Sequence, residues 1–454
     1  MNTRNLDGLS AQIRTLNAVG SVGRVSGVDG GVVKVVGLGM VARIGDQIRL
    51  ERRNMSCLRG EIVQLNGQDV VVLAESSPDG VSLNDRVSLL EHTDLAPSDN
   101  WIGRVIDPFG LPLDGSPLLR GTQARSPRAA PPSAASRRGL GARMNTGMAA
   151  LNTLLPIVRG QRVGLFAGSG VGKSSLLGHL ARHMQSDVVV IAMVGERGRE
   201  LRSFIEDVLG PEGMARSIIV AATSDQSPLI RRRCAWSAMN VAEHFRDQGR
   251  NVLFLADSVT RFAEAHREVA VAAGEAPVLR GYPPSTAHMI MSLCERAGPG
   301  SEDQGDITAL FSVLVAGSDM EEPIADILRG VLDGHIVMDR AIAERGRYPA
   351  IDLLRSVSRS LPAAANEKEN DLISEVRTLL GAYDQNAMMI KAGLYVDGSD
   401  PQLDRAIGLW PELDAFLAKT EGQNIEDSFA KLGVILRRGR SGIKALGTHA
   451  IESI

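Results

Sequence analysis

The stretch GLFAGSGVGKSSLL, residues 164–177, decides the fold. An apolar run leads into it and a helix-forming run leads out. Between them the glycines let successive backbone N–H groups turn inward around phosphate oxygens, and the following helix adds its N-terminal partial charge. This is the pattern of a phosphate-binding loop. Its expected nucleotide-binding residues are Gly168, Ser169, Gly170, Val171, Gly172, Lys173, Ser174 and Ser175. Lys173 is placed to reach the β- and γ-phosphates, and Ser174 to ligate Mg²⁺. The general pattern opens on glycine; Ala167 stands there instead, while the inner glycines remain.

Outward from the loop, apolar runs at 163–167, 188–194, 217–221, 252–256, 307–315 and 335–338 alternate with helical stretches. One such stretch, 199–209, carries Leu201, Ile205, Val208 and Leu209 on a single face. Alternation of this kind predicts an α/β fold, with a parallel sheet covered on both faces. Strand ends of such sheets face the ligand crevice. Asp257 ends the 252–256 run; taken alone, such a residue is often only a turn former, but with the phosphate loop upstream a carboxylate for Mg²⁺ is the better reading. Glu196 follows the 188–194 run in MVGERGRE, residues 193–200. It is placed to polarise an attacking water, and equally to sit at a helix start favoured by the dipole. Local sequence leaves both readings open.

The whole chain has 454 residues, too many for one core. Its hydrophobic fraction of 44% and charged fraction of 23% are ordinary for a globular protein. A net charge of −3 argues against nucleic acid as partner through bulk positive charge. Cys57, Cys234 and Cys294 fit neither a metal site nor a disulfide framework and are expected to be buried apolar residues. The opening MNTRNLDGLSAQ lacks the apolar core of a secretion signal, and no run approaches a membrane span, so a cytoplasmic protein with at most peripheral membrane contact is expected.

Four regions are expected. Residues 1–20 form an amphipathic helix, with Leu6, Leu9, Ile13 and Leu16 at helical spacing, for packing or for partner or membrane docking. Valine-rich runs separated by Gly, Asp and Asn turns suggest a small β-barrel or sandwich at 21–95. Residues 96–361 hold the nucleotide-binding core and 362–454 a helical domain. A Pro-, Ala-, Ser- and Arg-rich connector at 120–143 is expected to be solvated, its arginines included.

Four stretches then act together: GERGRE (195–200), ADSVTRF (256–262), RGYPPS (280–285) and YPAIDLLRSVSR (348–359). They resemble the catalytic subunits of rotary ATP synthases and their relatives, in order from about Gly20 to the C-terminus. The loop LFAGSGVGKS and the tail GLYVDGSDPQLDRAI resemble, within that superfamily, the ATPases of flagellar type III protein export. An acidic lever of the DELSEED type is absent.

The resemblance implies a RecA-like P-loop ATPase core between an N-terminal barrel and a C-terminal helical domain, with ATP as substrate and Mg²⁺ as cofactor. It implies catalytic roles for Lys173, Glu196, Arg197, Arg261 and Arg359, the last as an arginine finger. It implies Mg²⁺ at Ser174 and Asp257, and adenine against Tyr348. Glu196, Tyr348 and Arg359 in one chain imply a homohexamer with every site competent. The implied partners are a stator-like regulatory export protein at the N-terminus, a central stalk protein, export substrates and chaperones, and export-gate membrane proteins at the flagellar basal body. A rotary synthase subunit, a virulence-type export ATPase, a nucleotide-holding scaffold and an RNA translocase are the alternatives.

Overall fold

A computed structural model describes residues 20–449 apart from 54, 91–93, 279, 316–319 and 422, together with Asp7, Ser10 and Ile13, and describes side chains as far as residue 438. The docking helix expected at residues 6–16 therefore lies largely outside the described residues.

A closed barrel comes first. It contains β1 (Val22–Asp29), β2 (Val32–Val36), β3 (Gln47–Leu50), β4 (Leu58–Asn66), β5 (Asp69–Ala74) and β6 (Arg86–Leu90). Antiparallel pairing in the order β1-β2-β5-β4-β3-β6 closes it. Side chains alternate along its strands, so Val25, Val33, Val35, Ile48 and Val72 fill the interior.

The core runs through β7 (Val105–Ile106), α1 (Ala149–Thr153), β8 (Arg162–Ala167), α2 (Lys173–His183), β9 (Val188–Glu196) and α3 (Gly198–Ser203). It continues with α4 (Gly210–Met214), β10 (Ser217–Thr223), α5 (Pro228–Asp247), β11 (Val252–Asp257), α6 (Val259–Ala272) and α7 (Ser285–Arg296). It ends in β12 (Gly298–Pro299), β13 (Asp306–Leu314), α8 (Pro323–Val331), β14 (Gly334–Met338), α9 (Arg340–Glu344) and β15 (Ile351–Ser358). The sheet order is β15-β14-β8-β13-β11-β9-β10-β7, with β12 beside β13. The strands from β14 to β7 are parallel; β15 runs antiparallel to β14.

β9, β11 and β13 are buried along nearly their whole length. Both faces are covered, which is why these segments read as continuous apolar runs rather than alternating ones. Val189, Ile191 and Leu255 face a cluster shared with α2 and the C-terminal helices. Val188, Val190 and Phe254 face the opposite cluster, shared with α5, α6 and α7.

The helical domain follows as α10 (Glu367–Lys391), α11 (Pro401–Leu417) and α12 (Ile425–His449). An Asn366–Glu369 capping box starts α10. Tyr383 and Trp410 stack between α10 and α11 at 4.0 Å. Ion pairs Arg143–Glu369 (2.6 Å) and Arg347–Asp414 (3.1 Å) fasten the domain to the core.

Three expectations are corrected. The connector is not a solvated spacer: Arg125 pairs with Asp247, Arg128 with Glu61, Arg137 with Glu295, Arg138 with Asp306 and Arg143 with Glu369. A segment with few apolar residues holds its course here by charge. Cys57 is exposed, while Cys234 and Cys294 are buried. The 199–209 helix is α3 followed by a π-helical turn, Phe204–Leu209. The wider turn brings Val208 into the notch left by Gly178 on α2, where any Cβ would overlap Val208 at 2.2 Å.

Candidate active site

The ends of β8, β11 and β9, with β13 between the first two, assemble the site. β8 ends in Ala167, the loop 168–172 follows, and α2 begins at Lys173. The α2 N-cap is Gly172 at φ 88°, a left-handed conformation suited to glycine. Glycine is required there twice, because a Cβ would also meet the Tyr348 ring at 3.2 Å. Tyr348 thus lies over the last bend of the loop, half-exposed. Ser174 and Ser175 are exposed at the start of α2, as are Ser169 and Gly170 in the loop; Val171 is buried and pins the loop to the core.

β11 ends in Asp257, 2% exposed. Lys173 Nζ donates to Asp257 Oδ1, and Ser312 Oγ donates to the same oxygen at 2.8 Å. Ser312 is buried on β13, the neighbouring strand. It holds the carboxylate in place and is the one contributor that motif reading did not single out. Its signal was a lone serine in the apolar run ITALFSVL.

β9 pairs Met193 with Asp257 and then runs on to Glu196. The register against β10 shifts between Ala222 and Thr223, so Gly195 sits in a bulge at φ 70°. A Cβ there would meet Arg261 at 3.3 Å and Arg231 at 3.5 Å. The bulge turns Glu196 toward the loop. Burial pushes its carboxyl up to about 7, helped by a hydrogen bond with Glu200 and the negative charge of Asp257, and opposed by Lys173.

Two of the expected arginines surround this centre loosely. Arg261, on the first turn of α6, pairs with Glu264 at 3.0 Å and is part-exposed. Arg197 is exposed beside Glu200 at 3.7 Å.

Arg359 lies elsewhere. It follows β15, whose Ser358 pairs with Gly334, while Met338 at the other end of β14 pairs with Ala167. Antiparallel β15 therefore carries Arg359 to the sheet edge opposite the phosphate loop. At about 3.3 Å per residue the offset along the strand is about 16 Å, and two strand spacings add about 10 Å across. Arg359 is exposed there, donating from Nη2 to the Arg329 carbonyl at 3.1 Å. Lys173, Asp257, Glu196 and Tyr348 converge; Arg359 does not join them within one chain.

Ser174 and Asp257 together offer a hydroxyl and a carboxylate, the hard oxygen donors that Mg²⁺ takes. The donor set fits the ion.

Comparison with known proteins gives the family. Residues 147–358 match the model for the ATP synthase alpha/beta family, nucleotide-binding domain, and residues 365–433 match the T3SS EscN ATPase C-terminal domain. The chain is 42% identical to the flagellum-specific ATP synthase of Caulobacter vibrioides, over 94% of this chain and 99% of that one. It is 41% identical to that of Salmonella typhimurium, over 95% and 97%. Among solved structures, the assembled ATPase EscN of the enteropathogenic E. coli type III secretion system superposes with a TM-score of 0.84 at 33% identity, covering 91% of this chain and all of that one. EscN in complex with its central stalk EscO gives 0.81 at 34%, with the same coverage. A phosphate loop on a RecA-like sheet, a barrel before it and the type III helical domain after it make this chain an ATP-hydrolysing member of the ATP synthase alpha/beta family, grouped with the flagellum-specific and type III secretion ATPases.

Proposed function

We propose that the chain is the ATPase of a flagellar type III export apparatus, working as a homohexameric ring that couples MgATP hydrolysis to unfolding and export of proteins. The observation that carries this reading is the split site: a loop centre on one edge of the sheet and Arg359 on the other. A closed ring brings the second edge of one subunit against the first edge of the next.

In that ring the loop amides and Lys173 hold the β- and γ-phosphates, and Tyr348 receives the adenine face. Ser174 and Asp257 would hold Mg²⁺, which would supply charge neutralisation at the phosphates. Glu196, with a carboxyl poised near neutrality, orients water and takes its proton. Arg261 and Arg197 neutralise phosphate charge, and Arg359 of the neighbouring subunit spreads over the oxygens that gain charge as the γ-phosphoryl leaves.

The barrel, taken as residues 21–95, the core as 96–361 and the helical domain as 362–454 have separate tasks in this reading. The N-terminal segment 1–20 docks a stator-like regulatory export protein and touches the membrane peripherally. A central stalk protein enters the ring pore, and the helical domain meets export substrates and their chaperones, beneath export-gate membrane proteins. The location is the cytoplasmic face of the inner membrane at the basal body. No helix among the described residues is long and apolar enough to cross a membrane.

The likeness to EscN favours a second reading, virulence-type secretion, with the same chemistry and different cargo. Restoration of motility in a flagellar ATPase deletion strain separates the two.

The direct test is Mg²⁺-dependent ATP hydrolysis per chain over a wide range of protein concentration, with sizing of the same samples. Activity per chain is expected to rise as rings form. Full activity in a monomer overturns the proposal.

A further inference from the structure

A cavity of about 500 Å³ opens between the barrel and the core, away from the phosphate loop. Part of its lining is apolar: Ile62 and Val63 of β4, Val269 and Ala270 of α6, and Leu293 of α7. The rest includes Arg128 from the connector, with Arg232 and Trp236 from α5.

Two guanidiniums here share one carboxylate. Glu61, 5% exposed, accepts through Oε1 from Nη2 of Arg128 and from Nη2 of Arg232, the latter at 2.8 Å. Its Oε2 takes the Gln47 amide at 3.3 Å. Both guanidiniums thus draw on one carboxylate, the Arg128 side chain being 39% exposed; a second carboxylate, Glu275, lines the cavity elsewhere and is taken up by Ser285. Arg232 is 6% exposed, its Nε has no hydrogen-bond partner, and Glu61 is the one carboxylate within ion-pair distance of it among the described residues. Burial and the nearby Arg128 push its guanidinium down to about 10. Both guanidiniums lie over the Trp236 ring, at 4.6 and 5.0 Å from its centroid. A π-face eases a cation without cancelling its charge.

A buried guanidinium that shares its carboxylate with a second arginine leaves room for a further anionic partner. Apolar walls with a few convergent polar groups at a domain joint are the make-up of a small-molecule site. We propose that this cavity binds a small amphipathic anion: an apolar body against α6 and β4, with one carboxylate, sulfonate or phosphate on the Arg128–Arg232 pair. The lining residues His266, Val269 and Ala270 lie in the C-terminal half of helix α6, whose first turn carries Arg261, so the cavity is separate from the phosphate loop.

Anilinonaphthalene sulfonate, an apolar bicycle carrying one sulfonate, is the probe. Titrated onto the full chain, it is expected to show one saturable site per chain by fluorescence and equilibrium dialysis, undisturbed by excess ADP. Arg128→Ala leaves Arg232 and Glu61 as a balanced pair and is expected to weaken binding about tenfold or more, the loss of one charge-assisted contact. Arg128→Lys restores most of the affinity, because the surplus charge returns. Ala273→Trp, which fills the cavity from the end of α6, abolishes binding while the melting midpoint stays near that of the unmodified chain. Absence of saturable binding, affinity unchanged in Arg128→Ala, or displacement by ADP overturns the proposal. So does binding that vanishes when the chain assembles with nucleotide, since a second copy of the chain would then be the occupant.

Discussion

Arg359→Ala tests the division of the site between two subunits. The offset of about 16 Å along β14 and β15, with about 10 Å across the strands, exceeds an extended arginine side chain, so Arg359 cannot serve the loop of its own chain. An arginine finger is worth about 10³–10⁵ in turnover in phosphoryl-transfer enzymes, so Arg359→Ala is expected to lose at least about a thousandfold in kcat. Lys173→Ala is expected to be similarly inactive, through the loop. The informative sample is a mixture of the two. A site works when an Arg359→Ala chain, whose loop is intact, meets a Lys173→Ala chain, whose finger is intact. Random one-to-one mixing in a ring makes about a quarter of the interfaces competent. Steady-state phosphate release from the mixture is therefore expected to rise from baseline toward about a quarter of the unmodified value, in the limit of independent sites. A mixture that stays at the baseline of its inactive parents, under conditions where sizing shows mixed rings, refutes the argument from sheet geometry.

Glu196→Gln keeps the shape of the site and removes the base; kcat is expected to fall by about 10²–10⁴ with little change in the dissociation constant for ATP, checked by calorimetry. Tyr348→Ala is expected to raise KM for ATP far more than it lowers kcat, and Tyr348→Phe to restore it, because the ring face is what the adenine needs. Arg296 and Glu243 form a bidentate pair at 1% and 5% exposure, so Arg296→Ala leaves a buried carboxylate alone and is expected to cost about 3–5 kcal/mol by denaturant unfolding. Burial pushes Glu75 up to about 7 from 4.5. The folded state then holds a proton that the unfolded chain has released, so this carboxyl takes stability away as pH rises from 4.5 to 7. Glu75→Gln is expected to match the unmodified chain near pH 4 and to exceed it at pH 8 by up to about 3 kcal/mol; a difference independent of pH contradicts this.

The loop and Asp257 were legible because their chemistry is contiguous in sequence and local rules place it at strand ends. Glu196 was ambiguous by itself; its turn toward the loop depends on the Gly195 bulge, which the β10 register creates. Ser312 carried only the signal of one hydroxyl in an apolar run. The position of Arg359 was hidden because it depends on β15 reversing against β14, a tertiary pairing that no local pattern specifies. The connector misled for the same reason at longer range. Its arginines look solvated until their partners, 67 to 226 residues away, are brought to them.

That connector has a consequence for how the molecule can be cut and recombined. Between Arg120 and Arg143 it carries arginines and no acidic residue. The carboxylates it neutralises belong to the barrel (Glu61), the core (Asp247, Glu295, Asp306) and the first helix of the last domain (Glu369). It is a belt buckled at five points rather than a tether. A barrel exchanged with a relative's at this segment inherits a belt whose buckles must find matching holes. Such hybrids should be compatible in proportion to how many of those five carboxylates the donor retains, whatever the similarity of the apolar cores.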